Sequence, residues 1–322
     1  MDLHQRTLRI GLTVILFAAV FRLCSMVPPV VPDPAVPSET ISIPQETGQD
    51  VRFSPSLGYF IPQFVESSPP SIKQPQIPCF SDASAVQVHN ATKKQPKLEE
   101  LICKPLTWQL TGLEPKVLIL HTHATESYNP KDKPYQETAS YRTLDEAYNM
   151  LSIGDIVAEM LVCQGISVIH DRTLHDYPSY NGSYVHARKT IQDYLSRYPG
   201  IELILDLHRD ATEGTAGQLR TLADTKNCAQ LMVVIGTNHD AFEKNLSLGL
   251  KLHAQLEQQS PGITRPLQLR ASRFNQDLLP GALLIEVGAA GNSHEEAMNA
   301  ARQLAQAVIA LSHGTLSPEN SA

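Results

Sequence analysis

The stretch "VLILHTHATESYNP", Val117 to Pro130, decides how the rest of the chain is read. Its first four residues are aliphatic without polar alternation, as in a strand buried on both faces. The run then breaks into His121, His123 and Glu126 within six residues. A strand ending this abruptly in imidazole and carboxylate is expected to deliver them to a site beyond the carboxyl edge of a sheet.

The same pattern recurs to either side. "AYNMLSIGDIVAEMLVCQG" sets Met150, Ile153, Ile156, Val157, Met160 and Leu161 on one helical face, with Gly165 positioned to end the helix. A second strand is expected over residues 166–170, followed by a Tyr-rich polar loop to Gly182. The next helix, with Ser183 as its cap, is expected to stop near Arg197, ahead of Pro199. Further strands are read at 202–207, 231–236 and 282–288, with a helix through "NLSLGLKLHAQLEQQ" between the last two. A final helix opens at "SHEE", where Ser293 and Glu296 have the spacing of a capping box. Aliphatic strands alternating with amphipathic helices predict an α/β fold in three layers, a twisted, mostly parallel sheet with helices on both faces.

In such a sheet the informative residues stand at strand ends. His121 and His123 follow "VLIL", His208 follows "LILDL" with Arg209 and Asp210 behind it, and Glu286 lies within "ALLIEVG". A zinc hydrolase needs about three His, Asp or Glu ligands, an open position for water and a carboxylate to take the water's proton. His123 and Glu126 supply two ligands from one strand end and His208 a third, which leaves Glu286 as general base. Alternation sends His121 to the same face as His123, so either histidine reaches the metal on sequence grounds. Taken singly these residues have duller roles: a strand-end histidine is usually a hydrogen-bonding residue, and Glu126 equally well caps a turn. The convergence of three strands carries the reading, together with the cost of burying Glu286 in an aliphatic run without a cation or proton. His170 and His175, which flank the Tyr-rich loop, either orient substrate or lie at the surface; His186, His239, His253, His294 and His313 read as structural or solvated.

Composition removes several classes of function. A net charge of −7 without any cationic run excludes a nucleic-acid partner. Five cysteines without a C-x-x-C pair offer neither a thiolate metal centre nor a disulfide framework. "GTAG" and "PGALLIEVGAAGN" lack the lysine and spacing of phosphate-binding loops.

Organisation follows from proline and apolar content. Of the 23 prolines, 14 fall between Pro28 and Pro105, so the folded domain is expected over residues 105–314 and a Pro-rich extracytoplasmic linker over 32–104. Residues 1–31 combine Arg6 and Arg9 with an apolar run interrupted by Arg22. They read as a single-pass signal anchor, with a cleaved signal peptide as the alternative, and either places the domain outside the cell membrane. Residues 315–322 read as a disordered tail.

Four motifs in order, "LILHTHATESY", "VIHDRTLHDYPSYNGSY", "ILDLHRDAT" and "RFNQDLLPGALLIEVGAAGNSHEEA", resemble the stage II sporulation protein P family over roughly residues 105 to 312. The resemblance implies a zinc-dependent N-acetylmuramoyl-L-alanine amidase that remodels peptidoglycan during engulfment, with endopeptidase activity on stem peptides. It also implies Zn2+ as cofactor, stage II sporulation protein D, a lytic transglycosylase, as a partner alongside other engulfment proteins, and a fold similar to muramoyl amidases and zinc carboxypeptidases. By the same resemblance His208 is a ligand and Glu286 the catalytic carboxylate. The acidic ligand is Glu126 by the carboxypeptidase pattern, or Asp145 or Glu146 by the amidase pattern. Arg209, Tyr180, Asn181, Arg270 and Asn275 are candidates to hold the carboxylates and amides of the substrate. The competing readings are a zinc carboxypeptidase or endopeptidase acting on stem peptides alone, and a wall-binding module with a dead site.

Overall fold

The aliphatic runs pair into one sheet, seen in a computed structural model whose described residues are 86–129, 141–211, 219–223 and 227–313. Its strands are β1 (Val88–Asn90), β2 (Val117–Leu120), β3 (Val168–His170), β4 (Leu203–Asp210), β5 (Leu231–Gly236), β6 (Leu267–Arg270) and β7 (Ala282–Ala289). Across the sheet they lie in the order β1-β6-β5-β7-β4-β2-β3. All neighbours are parallel except β5 and β7, where Leu231 pairs with Val287 and Val234 with Leu284 in antiparallel register. The sheet is thus two parallel blocks facing opposite ways. A parallel neighbour needs a crossover, usually a helix, and among the described residues none intervenes between β4 and β5.

The helices are α1 (Leu98–Ile102), α2 (Met150–Cys163), α3 (Ser183–Arg197), α4 (Phe242–Gln259) and α5 (His294–His313). The main core joins α1, α2, α4 and α5 to Val117, Ile119, Leu205, Leu207, Val233, Ile285 and Val287. On the opposite face α3 contributes Ala187, Ile191 and Tyr194, which meet Leu118, Leu120, Ile204 and Ala282. Odd and even strand positions serve the two cores, as the period of two requires. The three-layer reading therefore holds, with one face covered by most of the helices.

Helix ends mostly follow the residues expected to make them. Gly165, at φ 82°, takes the left-handed position beyond α2, and the capping box of α5 forms, with Ser293 N donating to Glu296 Oε2 at 3.0 Å and Glu296 N to Ser293 Oγ at 3.2 Å. Ser183 departs from its expected role. It is the first residue of α3, with Gly182 ahead of it at φ 91°, and its hydroxyl donates back to Tyr180 O instead of capping the helix.

The domain boundary near residue 105 is also corrected. β1 extends the sheet beside β6, and Leu101 and Ile102 of α1 are sealed in the main core. Prolines in the segment before them hid two short elements, because three and five residues show no readable period. The expected anchor (1–31), the linker before Val86 and the tail (315–322) lie outside the described residues. Among the described residues no helix is long and apolar enough to cross a membrane.

Candidate active site

The block β3, β2, β4 and β7 runs in one direction, so the carboxyl ends of β2, β4 and β7 share one edge. His208 and Glu286 are register partners on β4 and β7. His123 and Glu126 reach the same place from the tight turn after β2, where Glu126 N donates to His123 O at 3.1 Å. His208 Nδ1 stands 3.6 Å from Glu126 Oε2, and the His123 and His208 rings meet edge to face at 5.2 Å.

The turn decides between the two histidines. Alternation ends where β2 ends, at Leu120, so His121 and His123 do not share a face. His121 is fully buried under α2, with Nδ1 3.0 Å from Leu207 O and Nε2 2.9 Å from His170 Nε2. His170 Nδ1 in turn meets Asp155 Oδ1 at 3.0 Å. His121 thus belongs to a buried chain leading away from the cluster, and His123 belongs to the cluster.

Glu126 is buried among cations. Arg209 N donates to its Oε2 at 3.2 Å, and the guanidinium groups of Arg142 and Arg209 stand 3.6 Å and 3.9 Å from its Oε1. Burial alone would raise its carboxyl, but Arg209 and the His208 ring outweigh that and hold it far below the usual range. Asp145 and Glu146 are placed elsewhere. Asp145 Oδ1 accepts from Ala147 N at 3.0 Å, and exposed Glu146 pairs with Arg172 at 2.8 Å.

His208 is oriented by Asp206, two residues earlier on the same strand face. Its Nε2 lies 3.0 Å from Asp206 Oδ1, off the line of a hydrogen bond, while Asp206 accepts from Thr122 N at 2.8 Å and Thr122 Oγ1 at 2.6 Å. Burial opposes charge on this ring, yet Asp206 and Glu126 raise its value well above that of an ordinary histidine. His123 behaves oppositely: burial lowers it to about 4, so its ring is neutral and its buried Nδ1 has no hydrogen-bond partner. Glu286, raised to about 8 by burial, likewise keeps Oε2 buried without a partner.

Two aromatic rings complete the walls. Tyr180 stacks on His123 at 4.4 Å and 15°, with the Arg142 guanidinium 4.3 Å from its centroid. Tyr184, in the first turn of α3, stands edge-on to His123 at 5.6 Å and nearly parallel to His208 at 6.4 Å. Arg142 also reaches Asp176 Oδ2 at 3.3 Å, and Asp176 accepts from Thr125 Oγ1 at 2.6 Å, which ties the Tyr180 loop to the turn carrying Glu126.

Three residues expected to hold substrate are otherwise engaged. Arg209 is buried, donating from Nε to Ser127 O and from Nη2 to Tyr141 O, each at 3.0 Å, and so positions Glu126. Its neighbour Asp210 pairs with Arg265 at 2.6 Å. Asn275 is buried and clips its loop to α3 through Tyr184 O at 2.8 Å. Arg270 ends β6, level with Gly236 of β5, and β5 runs antiparallel to β7, so Arg270 faces the edge opposite Glu286. Tyr180 and Asn181 are exposed beside the cluster. Asp206, Arg142, Asp176 and Tyr184 escaped the sequence reading. Asp206 alone carried a signal, a carboxylate inside an aliphatic run two residues before His208.

Among the described residues no three His, Cys, Asp or Glu side chains are already gathered about a common point as a formed metal centre would be. The donor types nevertheless suit a divalent ion: a neutral imidazole with an orphaned buried nitrogen, an ionised carboxylate, and a second imidazole oriented by a carboxylate.

Fold and cluster together define a class: an α/β protein with two histidines and two glutamates converging at the carboxyl ends of three parallel strands. A family model for Stage II sporulation protein P matches residues 65–309, and the chain belongs to that family. The Stage II sporulation protein P of Bacillus subtilis (strain 168) is 31% identical over 234 residues, covering 68% of this chain and 54% of that protein. The chain thus spans about half the length of this curated relative. Among solved structures, an N-acetylmuramoyl-L-alanine amidase from Clostridium difficile 630 is similar at 17% identity and TM-score 0.38, over 62% of this chain and 95% of that one. The CwlD amidase from Clostridioides difficile, solved with the GerS lipoprotein, is similar at 16% identity and TM-score 0.40, over 62% and 95%. Family membership rests on the sequence matches.

Proposed function

We propose that the chain is a metal-dependent peptidoglycan hydrolase that cleaves the amide between the lactyl group of muramic acid and L-alanine. The observation that carries this is the register pairing of His208 with Glu286 beside the turn bearing His123 and Glu126. His123, Glu126 and His208 would hold the ion, and zinc suits two imidazoles and a carboxylate. When bound, zinc supplies Lewis acidity, polarising the scissile carbonyl and making water acidic enough to attack near neutral pH.

The chain's own groups do the remaining work. Glu286 takes a proton from the attacking water, and the new C–O bond converts the carbonyl carbon to a tetrahedral centre. Glu286 then gives that proton to the amide nitrogen as the C–N bond breaks, releasing the amine of L-alanine and leaving a lactyl carboxylate. Arg209 and Arg142 keep Glu126 ionised and in place, and Asp206 orients His208. The exposed Tyr180 and Asn181 border the substrate cleft.

Cleavage confined to stem peptides is the second reading, since the same four groups hydrolyse any accessible amide. We further propose the setting implied by the family resemblance: sporulation and engulfment, residues 1–31 as anchor, the catalytic part outside the membrane, and stage II sporulation protein D as partner. The deciding experiment digests purified peptidoglycan with and without chelator and identifies products by mass spectrometry. Glycan strands freed of stem peptides support the amidase; shortened crosslinks with peptides still on muramic acid support the second reading. Cleavage indifferent to chelator removes the metal.

A further inference from the structure

Amide hydrolysis places negative charge on the former carbonyl oxygen, and the residues assigned so far offer that oxygen no hydrogen bond from the protein. Arg209 and Asn275 are bonded within the fold, and Arg142 faces Glu126, Asp176 and Tyr180. One donor borders the space between the two histidines. Tyr184 lies edge-on to His123 at 5.6 Å and parallel to His208 at 6.4 Å, with Phe274 at 5.8 Å on its ring. Its backbone carbonyl is clipped by Asn275 Nδ2 at 2.8 Å, so the first turn of α3 is held where the ring stands. The ring is partly exposed, and its hydroxyl makes no hydrogen bond to the described residues.

We infer that Tyr184 is a catalytic residue whose hydroxyl donates a hydrogen bond to the oxygen of the scissile carbonyl as that oxygen becomes negative. An ordinary phenol keeps its proton at neutral pH, its usual value lying about three units higher, so Tyr184 serves as a donor, not as an acid. The proton from water still travels through Glu286 to the amine, and Tyr184 is unchanged over the cycle. Such a donor acts only where charge develops, which gives it leverage on turnover more than on binding.

This inference rests on the amidase reading. Its test is Tyr184→Phe in the full chain, which removes one oxygen and leaves the ring. Zinc affinity, kcat and KM on a soluble muropeptide, and inhibition by a phosphinate analogue of the muramoyl–alanine bond are measured for both proteins. Expected are unchanged zinc affinity, KM within about threefold, kcat down roughly 100-fold and phosphinate binding weakened by a similar factor. An unchanged kcat, a loss that tracks zinc affinity, or a loss in KM alone overturns the assignment while the amidase reading stands. Wild-type chain that releases no stem peptides overturns that reading and this inference with it.

Discussion

Glu286 sits on β7 with an unpartnered buried oxygen, next to a histidine across the strand pair. As a base rather than a ligand, it is expected to tolerate amide replacement without loss of metal. Glu286→Gln should bind zinc as the wild type does and lose turnover by roughly 10²–10⁴-fold, measured by metal titration and product release. Loss of metal in that variant would make Glu286 a ligand. A second residue-scale prediction concerns His253, buried on α4 with Nε2 3.0 Å from Thr264 Oγ1. Burial lowers it to about 4 from an ordinary 6.5. The folded state therefore binds fewer protons than the unfolded state between those values. Its contribution is complete above pH 6.5 and is lost as pH falls toward 4. Urea unfolding should show His253→Gln losing about 2 kcal/mol less than wild type between pH 7 and pH 5.

At the scale of elements, the packing of α2 on β2 and β3 depends on one missing side chain. Gly154 lies against the paired imidazoles of His121 and His170; a Cβ there would stand 2.6 Å from His121 Nε2 and closer still to His170 Nε2. Neither ring has room to retreat, because His121 is tied to Leu207 O and His170 to Asp155. Gly154→Ala should cost about 2–4 kcal/mol despite the better helix propensity of alanine, read from denaturant midpoints. A neutral result would mean the rings repack freely. The sequence shows Gly154 only as a weak point in an apolar helix face; what lies beneath it depends on the sheet order that puts β3 beside β2.

The whole molecule draws on a segment that reads as linker. β1 closes the sheet edge on β6, and α1 lies against α4, where Leu101 O accepts from the buried ammonium of Lys251 at 3.1 Å. A chain beginning at Pro105 loses this edge strand, three core side chains (Val86, Leu101 and Ile102) and a lysine acceptor. It should be less stable than one beginning at residue 65 by more than about 3 kcal/mol, or aggregate through exposed β6, as urea melts and sedimentation would show. Equal stability of the two would return the segment to the linker.

The α/β alternation, the helix end at Gly165, the helix start at Ser293 and the candidacy of His208 and Glu286 are all legible in the residue order. Each is written locally, in a period of two or 3.6 or in the cost of a carboxylate among aliphatic residues. Tertiary structure alone decided the reversal at β5 and the places of β1 and α1. It also decided that Glu126, not Asp145 or Glu146, stands beside His208, and that Arg209 holds this carboxylate instead of a substrate. The reason is the turn after β2. Strand periodicity extends only as far as the strand, and beyond Leu120 the direction of each side chain depends on what β4, β7 and the Arg142 loop leave open around it.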